Sequence, residues 1–440
     1  THTEFVLKAL KTGIKTPGQL HRMKLEFAGH FKVSPPPNSE IVAAYRELLE
    51  SGKIKEDREF ERLIRKRAVR TLSGVSPIAV LTKPLGCPGR CIYCPNEEGV
   101  PKSYLSNEPA VMRAILNDYD PFKQVKTRLD TLHANGHPTD KVELIVMGGT
   151  WSAHPKVYQN NYIKRCLDAM NLKTSRTLPA AQKLNESAQH RCVAITLETR
   201  PDWINEDEIL RMRSLGCTRI EVGVQSLYND VLDLVRRGHR IDATIRATQL
   251  MKDAGFKISY HMMPNLPGAT LKRDVEMFKD LFANPDFRPD MIKVYPCVLV
   301  PFTELQKWYE DGRYKPYTDV ELIKLILEIK KVFPRYLRVS RLIRDIPAGS
   351  ILGGSKVSNL RQIVHAQMVK KGIKCECIRC REIKGEKIDP KNIEFRKMDY
   401  EASGGREFFL SFDETQKDKL CALLRLRFSS YSLTGKKHFI

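Results

Sequence analysis

No stretch of this chain approaches the roughly 18 consecutive apolar residues that a membrane span requires, although hydrophobic residues fill 42% of its 440 positions. The opening THTEFVLKALKTGIK also lacks the apolar h-region of a secretory signal. These two absences predict a soluble cytoplasmic protein without a membrane partner. Negative charge is scarce: 52 Asp and Glu face 74 Lys and Arg, a net of +22. Such a balance favours a polyanion, nucleic acid first, because phosphate contacts release counterions and draw the protein in. Eleven cysteines are too few and too unevenly placed for a secreted disulfide framework. Beyond an alternation of strand and helix patterns, no internal repeat or low-complexity tract is present.

What is there divides into four stretches. Residues 1–75 read as basic helices. In SEIVAAYRELLESGKI, Ser39 is the expected N-cap and a glycine the stop. Arg62, Arg65, Lys66, Arg67 and Arg70 follow on one short segment, suited to phosphate or to a solvated helix face. From 76 to 345, β-rich runs (IAVLT, VELIVMGG, VAITLETR, RIEVGVQS, KISYHMMP, MIKVYPCV) alternate with helical ones. This α/β pattern predicts parallel strands joined by right-handed crossovers, in a barrel, a partial barrel or an open doubly wound sheet. All three put chemistry at the carboxyl ends of the strands. Residues 346–395 form a Gly/Ser-rich linker with a second cysteine group. Residues 396–440 open a further domain, in which EFFLSFDETQKDKLCALLRLRF reads as strand, turn and strand.

The run GCPGRCIYCPN places Cys87, Cys91 and Cys94 within eight positions, just after the first barrel strand. As thiolates they can hold three irons of a 4Fe–4S cluster and leave the fourth iron open. The other reading is a Cys3His zinc site completed by a distant histidine. CECIRC supplies Cys375, Cys377 and Cys380, and His365, ten residues earlier, is the candidate fourth ligand of a structural zinc. Lys293 and Tyr295 share a strand face by period-two spacing. They are candidates to position a substrate and handle a proton, or else to form a lining ion pair and a packed tyrosine.

CPGRCIYC resembles the cluster loop of radical S-adenosylmethionine (SAM) enzymes, and the partial barrel is the fold those enzymes have. Met147 to Thr150, MGGT, falls where that family carries a Gly-Gly-Glu segment, with Thr150 in place of the acidic residue. A closer similarity is to the Elongator protein 3 family. It is carried in order by SGVSPIAVLTKP, EPAVMRAILNDYDPFKQ, DKVELIVMGGT, ITLETRPD, CTRIEVGVQSLYNDVL, RRGH, HMMPNLPG, NPDFRPDMIKVYP and RDIP, and continues through REFFLSF and LLRLR.

The resemblance implies a tRNA-modifying enzyme that forms 5-carboxymethyl uridine at the wobble position from acetyl-CoA, through a SAM-derived radical. It implies a 4Fe–4S cluster on Cys87, Cys91 and Cys94, with SAM beside Gly148, Gly149, Thr150, Glu198, Gln225 and Met262. Lys141 is implied toward acetyl-CoA, and the basic segment at 62–70 toward tRNA. Other Elongator subunits or a second copy of the chain are the implied protein partners. The closing domain would be acetyltransferase-like, yet no Gly-x-Gly loop follows LLRLRF, and the last segment, SSYSLTGKKHFI, has no recognised counterpart. The competing readings are a tRNA-binding scaffold without catalysis and another radical-SAM RNA-modifying enzyme. A methylthiotransferase would carry an additional N-terminal cysteine trio, which is absent here.

Overall fold

Helix signals and strand alternation build two compact units in this computed structural model, which describes residues 2–429. All but the first residue of the closing segment 429–440 therefore lies outside the described residues. One unit comprises Thr1–Ile78, Asp120–Ile145 and Tyr162–Val193; the other comprises Ala79–Tyr119, Val146–Asn161 and Ala194–Ile440.

The first unit begins with four helices, α1 (His2–Thr12), α2 (Pro17–Phe31), α3 (Asn38–Glu50) and α4 (Arg58–Ile64). Thr16 and Gln19 close a capping box on α2, satisfying orphan N–H groups at its start. Phe5, Leu20, Ile41, Tyr45, Phe60 and Ile64 belong to their shared core. Ser39 is not the cap of α3: the helix starts one residue earlier, behind Pro37. Asn38 donates instead to the Ile64 carbonyl at 2.6 Å, so its side chain ties α3 to the end of α4. Gly52, with φ +69°, adopts the left-handed conformation just past the helix end that a glycine accepts without strain.

Seven strands run in the order β1 to β7: Ser76–Leu81, Lys141–Met147, Arg191–Thr199, Arg219–Gln225, Lys257–Met262, Met291–Val294 and Arg338–Arg341. The pairs from β3 through β7 are parallel. Among the described residues β1 and β7 stand at opposite ends of the order, so the sheet is a parallel half-barrel. Alternation divides its faces. Ile220, Val222, Ile258, Tyr260, Met262, Ile292 and Val294 are fully buried on one side, where Tyr260 bonds Thr248 of the helix Ile241–Asp253. Glu221, His261 and Lys293 project from the other. β7 was not expected from the sequence.

Beyond the half-barrel lies an antiparallel sheet of β8 (Ile393–Ala402), β9 (Gly405–Glu414) and β10 (Lys419–Phe428), with β9 in the middle. The second and third of these are the expected strand–turn–strand; β8 was not anticipated. Buried ions fasten the sheet within its unit. Lys252 reaches Glu407 at 2.5 Å, Arg425 reaches Asp290 at 2.9 Å, and Arg427 reaches Asp253 at 2.6 Å.

Candidate active site

The loop after β1 is kept out of helical conformation by Pro84, Pro88 and Pro95. It is sewn down through its backbone: Ile92 N–H donates to the Val235 carbonyl at 3.2 Å, Leu305 N–H to Ile92 at 2.9 Å, and Asn96 N–H to Phe302 at 3.0 Å. Ile92 and Tyr93 sink into an apolar cluster with Val231, Val235, Leu266 and Leu299. Cys91 is buried, while Cys87 and Cys94 are half-buried. Lys102 donates to the Gly89 carbonyl at 2.6 Å. A side chain at position 89 would collide with the guanidinium of Arg200, so glycine there is set by close approach.

Spacing tests what the trio can hold. A tetrahedral zinc with bonds near 2.3 Å brings its sulfurs to within ~3.8 Å of one another. The described residues contain two groups whose ligand atoms all lie within 4.8 Å, Cys375/Cys377/Cys380 and Glu198/Glu221/His261, and the loop trio is neither. The loop is thus too open for one zinc and fits a cluster that gives each thiolate its own iron.

The thiols are unlike one another. Burial pushes Cys94 up to about 11, with the neighbouring Cys91 adding to the effect. Burial also acts on Cys91, but the charge and hydrogen bond of Arg237 outweigh it and hold this thiol below its ordinary value. Arg237 Nη1 lies 3.5 Å from Cys91 Sγ, and its Nε donates to His239 Nε2 at 3.1 Å. Burial, then Arg237, lowers His239 to about 4, so its imidazole is neutral and accepts that bond.

The strand ends supply the surroundings. At the end of β2, a Cβ on Gly148 would collide with Thr82, and the residue's φ of +135° suits glycine alone. Thr150 lies two residues on, its hydroxyl 3.4 Å from Cys87 Sγ. At the end of β4, Gln225 takes a left-handed φ of +73° where the register with β5 shifts, and its carbonyl accepts from Met263 N–H at 2.8 Å. Gly148, Gly149, Thr150, Glu198 and Gln225 all sit at carboxyl ends of strands. Met262 does not share the face of His261; it is buried on the side of Tyr260, and its carbonyl accepts from Tyr295 N–H at 2.8 Å.

Across β3 to β6 lies a buried polar cluster. Lys293 on β6 pairs with Glu221 on β4 and lies 3.9 Å from Glu198 on β3. His261 on β5 bonds the same Glu221 oxygen at 3.0 Å, and its ring meets that of Tyr295 at 5.6 Å. Tyr104 donates to Glu198 at 2.9 Å. Burial alone would raise the Glu221 carboxyl, but Lys293, His261 and Arg219 drive it far below the carboxylate range. Lys293 is raised in turn, burial being overcome by Glu221, Tyr295 and Glu198. Burial also raises Tyr295. The expected juxtaposition of Lys293 and Tyr295 is present, with Nζ 5.9 Å from the ring centre. Glu221, Tyr104 and Arg237 were not expected from the sequence; a single acidic side chain inside RIEVGVQ was the available signal for the first.

Cys375, Cys377 and Cys380 come together as expected, but His365 does not join them. Its helix, Leu360–Lys370, buries Leu360, Val364 and Met368, and His365 lies about 100° round from Val364, exposed. The buried ammonium of Lys330 instead donates to Cys380 Sγ at 3.2 Å. Hydrogen bonds from Cys375 and Cys377, reinforced by Lys330, lower Cys380 below the ordinary thiol range.

In the first unit, Lys141 opens β2, is exposed, and lies 3.8 Å from Asp140. Of the basic segment, Arg62, Lys66, Arg67 and Arg70 are exposed, whereas Arg65 is half-buried and pairs with Glu61 at 3.1 Å. The helix stops at Ile64, and Arg67 turns through φ +56°, so the five do not form one helix face.

A parallel half-barrel with a three-cysteine loop after its first strand is the arrangement of the radical SAM superfamily, whose model matches residues 82–281; a radical-SAM C-terminal domain matches residues 289–370. A tRNA uridine(34) acetyltransferase of Methanocaldococcus infernus is 47% identical over 96% of this chain and 81% of its own length. Elongator complex protein 3 of Homo sapiens is 39% identical over 93% of the chain and 76% of its own length. The solved archaeal Methanocaldococcus infernus Elp3 with an N-terminal deletion superposes with a TM-score of 0.72 at 47% identity, covering 80% of this chain and 78% of that one. The chain belongs to the family of tRNA uridine(34) acetyltransferases and Elongator complex protein 3.

Proposed function

We propose that this protein modifies the wobble uridine of tRNA, building a carboxymethyl group at carbon 5 from acetyl-CoA. The carrying observation is that the cysteine loop after β1 and the Lys293–Glu221–His261 cluster on β4 to β6 belong to one compact unit, in a chain of this family. Cys87, Cys91 and Cys94 are the residues for the cluster, with Gly148, Gly149, Thr150, Glu198 and Gln225 beside SAM. Met262 is left a backbone role only. A 4Fe–4S cluster held there, with SAM bound beside it, would supply radical chemistry able to remove hydrogen from a methyl group.

The chain's own residues shape the rest. Lys293, charged at all physiological pH, is a fixed donor and positive charge for a uracil carbonyl. Tyr295 keeps its phenolic proton and is a second donor. Glu221 and His261 hold Lys293 so that no rearrangement is needed when charge shifts in the substrate. Glu221 is buried and the other three are half-buried, which limits the water that would quench a radical. Lys141 is assigned toward acetyl-CoA, and Arg62, Lys66, Arg67 and Arg70 toward tRNA phosphates. Cys375, Cys377 and Cys380 are assigned to a structural zinc whose fourth ligand is not His365. Further Elongator-type subunits or a second copy complete the partners of this reading.

The test is nucleoside analysis of tRNA after incubation with SAM, a low-potential reductant and acetyl-CoA, with 5-carboxymethyl uridine expected. Failure to cleave SAM on reduction, with tRNA binding intact, would establish the scaffold reading instead.

A further inference from the structure

We propose that Arg237 sets the reduction potential of the cluster assigned to Cys87, Cys91 and Cys94, acting as a buried cation hydrogen-bonded to the Cys91 sulfur. This rests on the cluster reading of that loop and deepens it. The residue is a positioning and tuning group; it touches a ligand sulfur, not the substrate.

The geometry is fixed from several sides. Arg237 is 6% exposed. Its guanidinium gives Nη1 to Cys91 Sγ at 3.5 Å, Nε to His239 Nε2 at 3.1 Å, and Nη2 to the Gly223 carbonyl on β4. Its own N–H donates to the Leu232 carbonyl at 2.8 Å, closing the helix Asn229–Leu234, while the Val235 carbonyl two residues earlier accepts from Ile92, the neighbour of Cys91. Arginine and cysteine are therefore held by one short backbone frame, and the cation does not wander from the sulfur. A Cβ on Gly223 would stand 2.6 Å from Nη2, so the strand leaves the room the fork occupies.

Its neighbours are spent differently. Arg200 pairs with Asp202 at 2.8 Å, Arg236 with Glu304 at 2.8 Å, and Arg240 with Asp233 at 2.6 Å. Arg237 gives its donors to a sulfur, a carbonyl and an imidazole. Reduction adds one electron from a low-potential one-electron donor and makes the cluster more negative by one charge, with no bond formed or broken. A fixed positive charge and a donor at the ligand sulfur favour the more negative state, and burial keeps water from screening them. Arg237 thus makes the cluster easier to reduce.

The experiment uses the full chain reconstituted anaerobically with iron and sulfide, in the absence of SAM. Metal and sulfide content are measured first, then the reduction potential by redox titration followed by the resonance signal of the reduced cluster. At the wild-type midpoint, R237M is expected to show a reduced-to-oxidised ratio about tenfold lower or more, about 59 mV per tenfold for one electron. R237K, keeping charge but losing the fork, falls between. R236M, which removes an exposed and already paired charge, leaves the ratio unchanged. A fully loaded R237M that titrates with wild type overturns the proposal. If R237M does not load, R237K and H239A decide: both are expected to shift in the same direction, and wild-type potentials in both overturn it. A wild-type chain that binds neither iron nor sulfide would refute the cluster reading itself, a separate result.

Discussion

Lys293 and Glu221 meet across the width of an intervening strand, Lys293 on β6 and Glu221 on β4, with His261 of β5 bonded to the same carboxylate oxygen. Glu221 is buried and Lys293 half-buried, their side chains 3% and 12% exposed. Three adjacent strands are thereby joined on this face by charge and hydrogen bonds rather than by apolar packing.

Removing one partner should be worse than removing both. Lys293→Met leaves a buried carboxylate facing His261 and Arg219 without its strongest partner, and should cost ~3–5 kcal/mol in chemical denaturation. The double variant Lys293→Met/Glu221→Leu should recover most of that stability but no modification of uridine. The pH profile follows from the shift directions. Glu221 is depressed when folded, so its stabilisation is complete above the unfolded value of about 4.3 and is lost as pH falls toward its folded value. Lys293 is raised, so its contribution holds below about 10.4 and is lost as pH rises beyond. Glu221→Gln should flatten the acid limb of stability against pH; an unchanged acid limb would remove Glu221 from this role.

The second cysteine group gives a clean metal test. Elemental analysis should find zinc retained at the same stoichiometry in His365→Ala and lost in Cys380→Ser. Loss of zinc in His365→Ala would restore histidine as a ligand, by a route the exposed helix face does not offer. Lys330→Met should retain the metal, since the ammonium competes with an ion for Cys380 instead of holding one.

For the basic segment, the readout is salt. Each of Arg62→Ala, Lys66→Ala, Arg67→Ala and Arg70→Ala should weaken tRNA binding across sequences and lower the slope of log affinity against log salt by ~0.7–0.9. Arg65→Ala should leave the slope near wild type, because its charge is committed to Glu61 at 3.1 Å. Equal slopes in all five variants would rule out this segment as a phosphate contact.

Six of the seven half-barrel strands were legible because each carries a run of β-branched or aromatic residues bounded by turn signals. β7, RVSR, is four residues long with arginine at both ends, and only its neighbour β6 makes it a strand. β8, IEFRKMDYEA, alternates charge with apolar residues on an exposed surface and declares itself only by pairing with β9. The cysteine loop was legible because its ligands are local in sequence. The Glu221–His261–Lys293 cluster was legible only in part, since each member comes from a different strand: register sets His261 beside Lys293 but Glu221 beside Ser259, and side-chain reach closes the remaining gap. His365 failed for the converse reason: proximity in sequence put it near the cysteines, and helix phase turned it away.

The ion network beneath the C-terminal sheet bears on where this chain can be cut. Composition changes near residue 346, and a module boundary there or at 396 looks natural on paper. Yet Lys252 has Glu407 of β9 as its near partner, and Asp253 and Asp290 have Arg427 and Arg425 of β10. A chain shortened ahead of β9 would leave three buried charges of the half-barrel without those partners. In free energy the last strands are therefore a lid screwed onto the half-barrel, not an appendage, and a severed half-barrel should aggregate or unfold unless those three charges are replaced together.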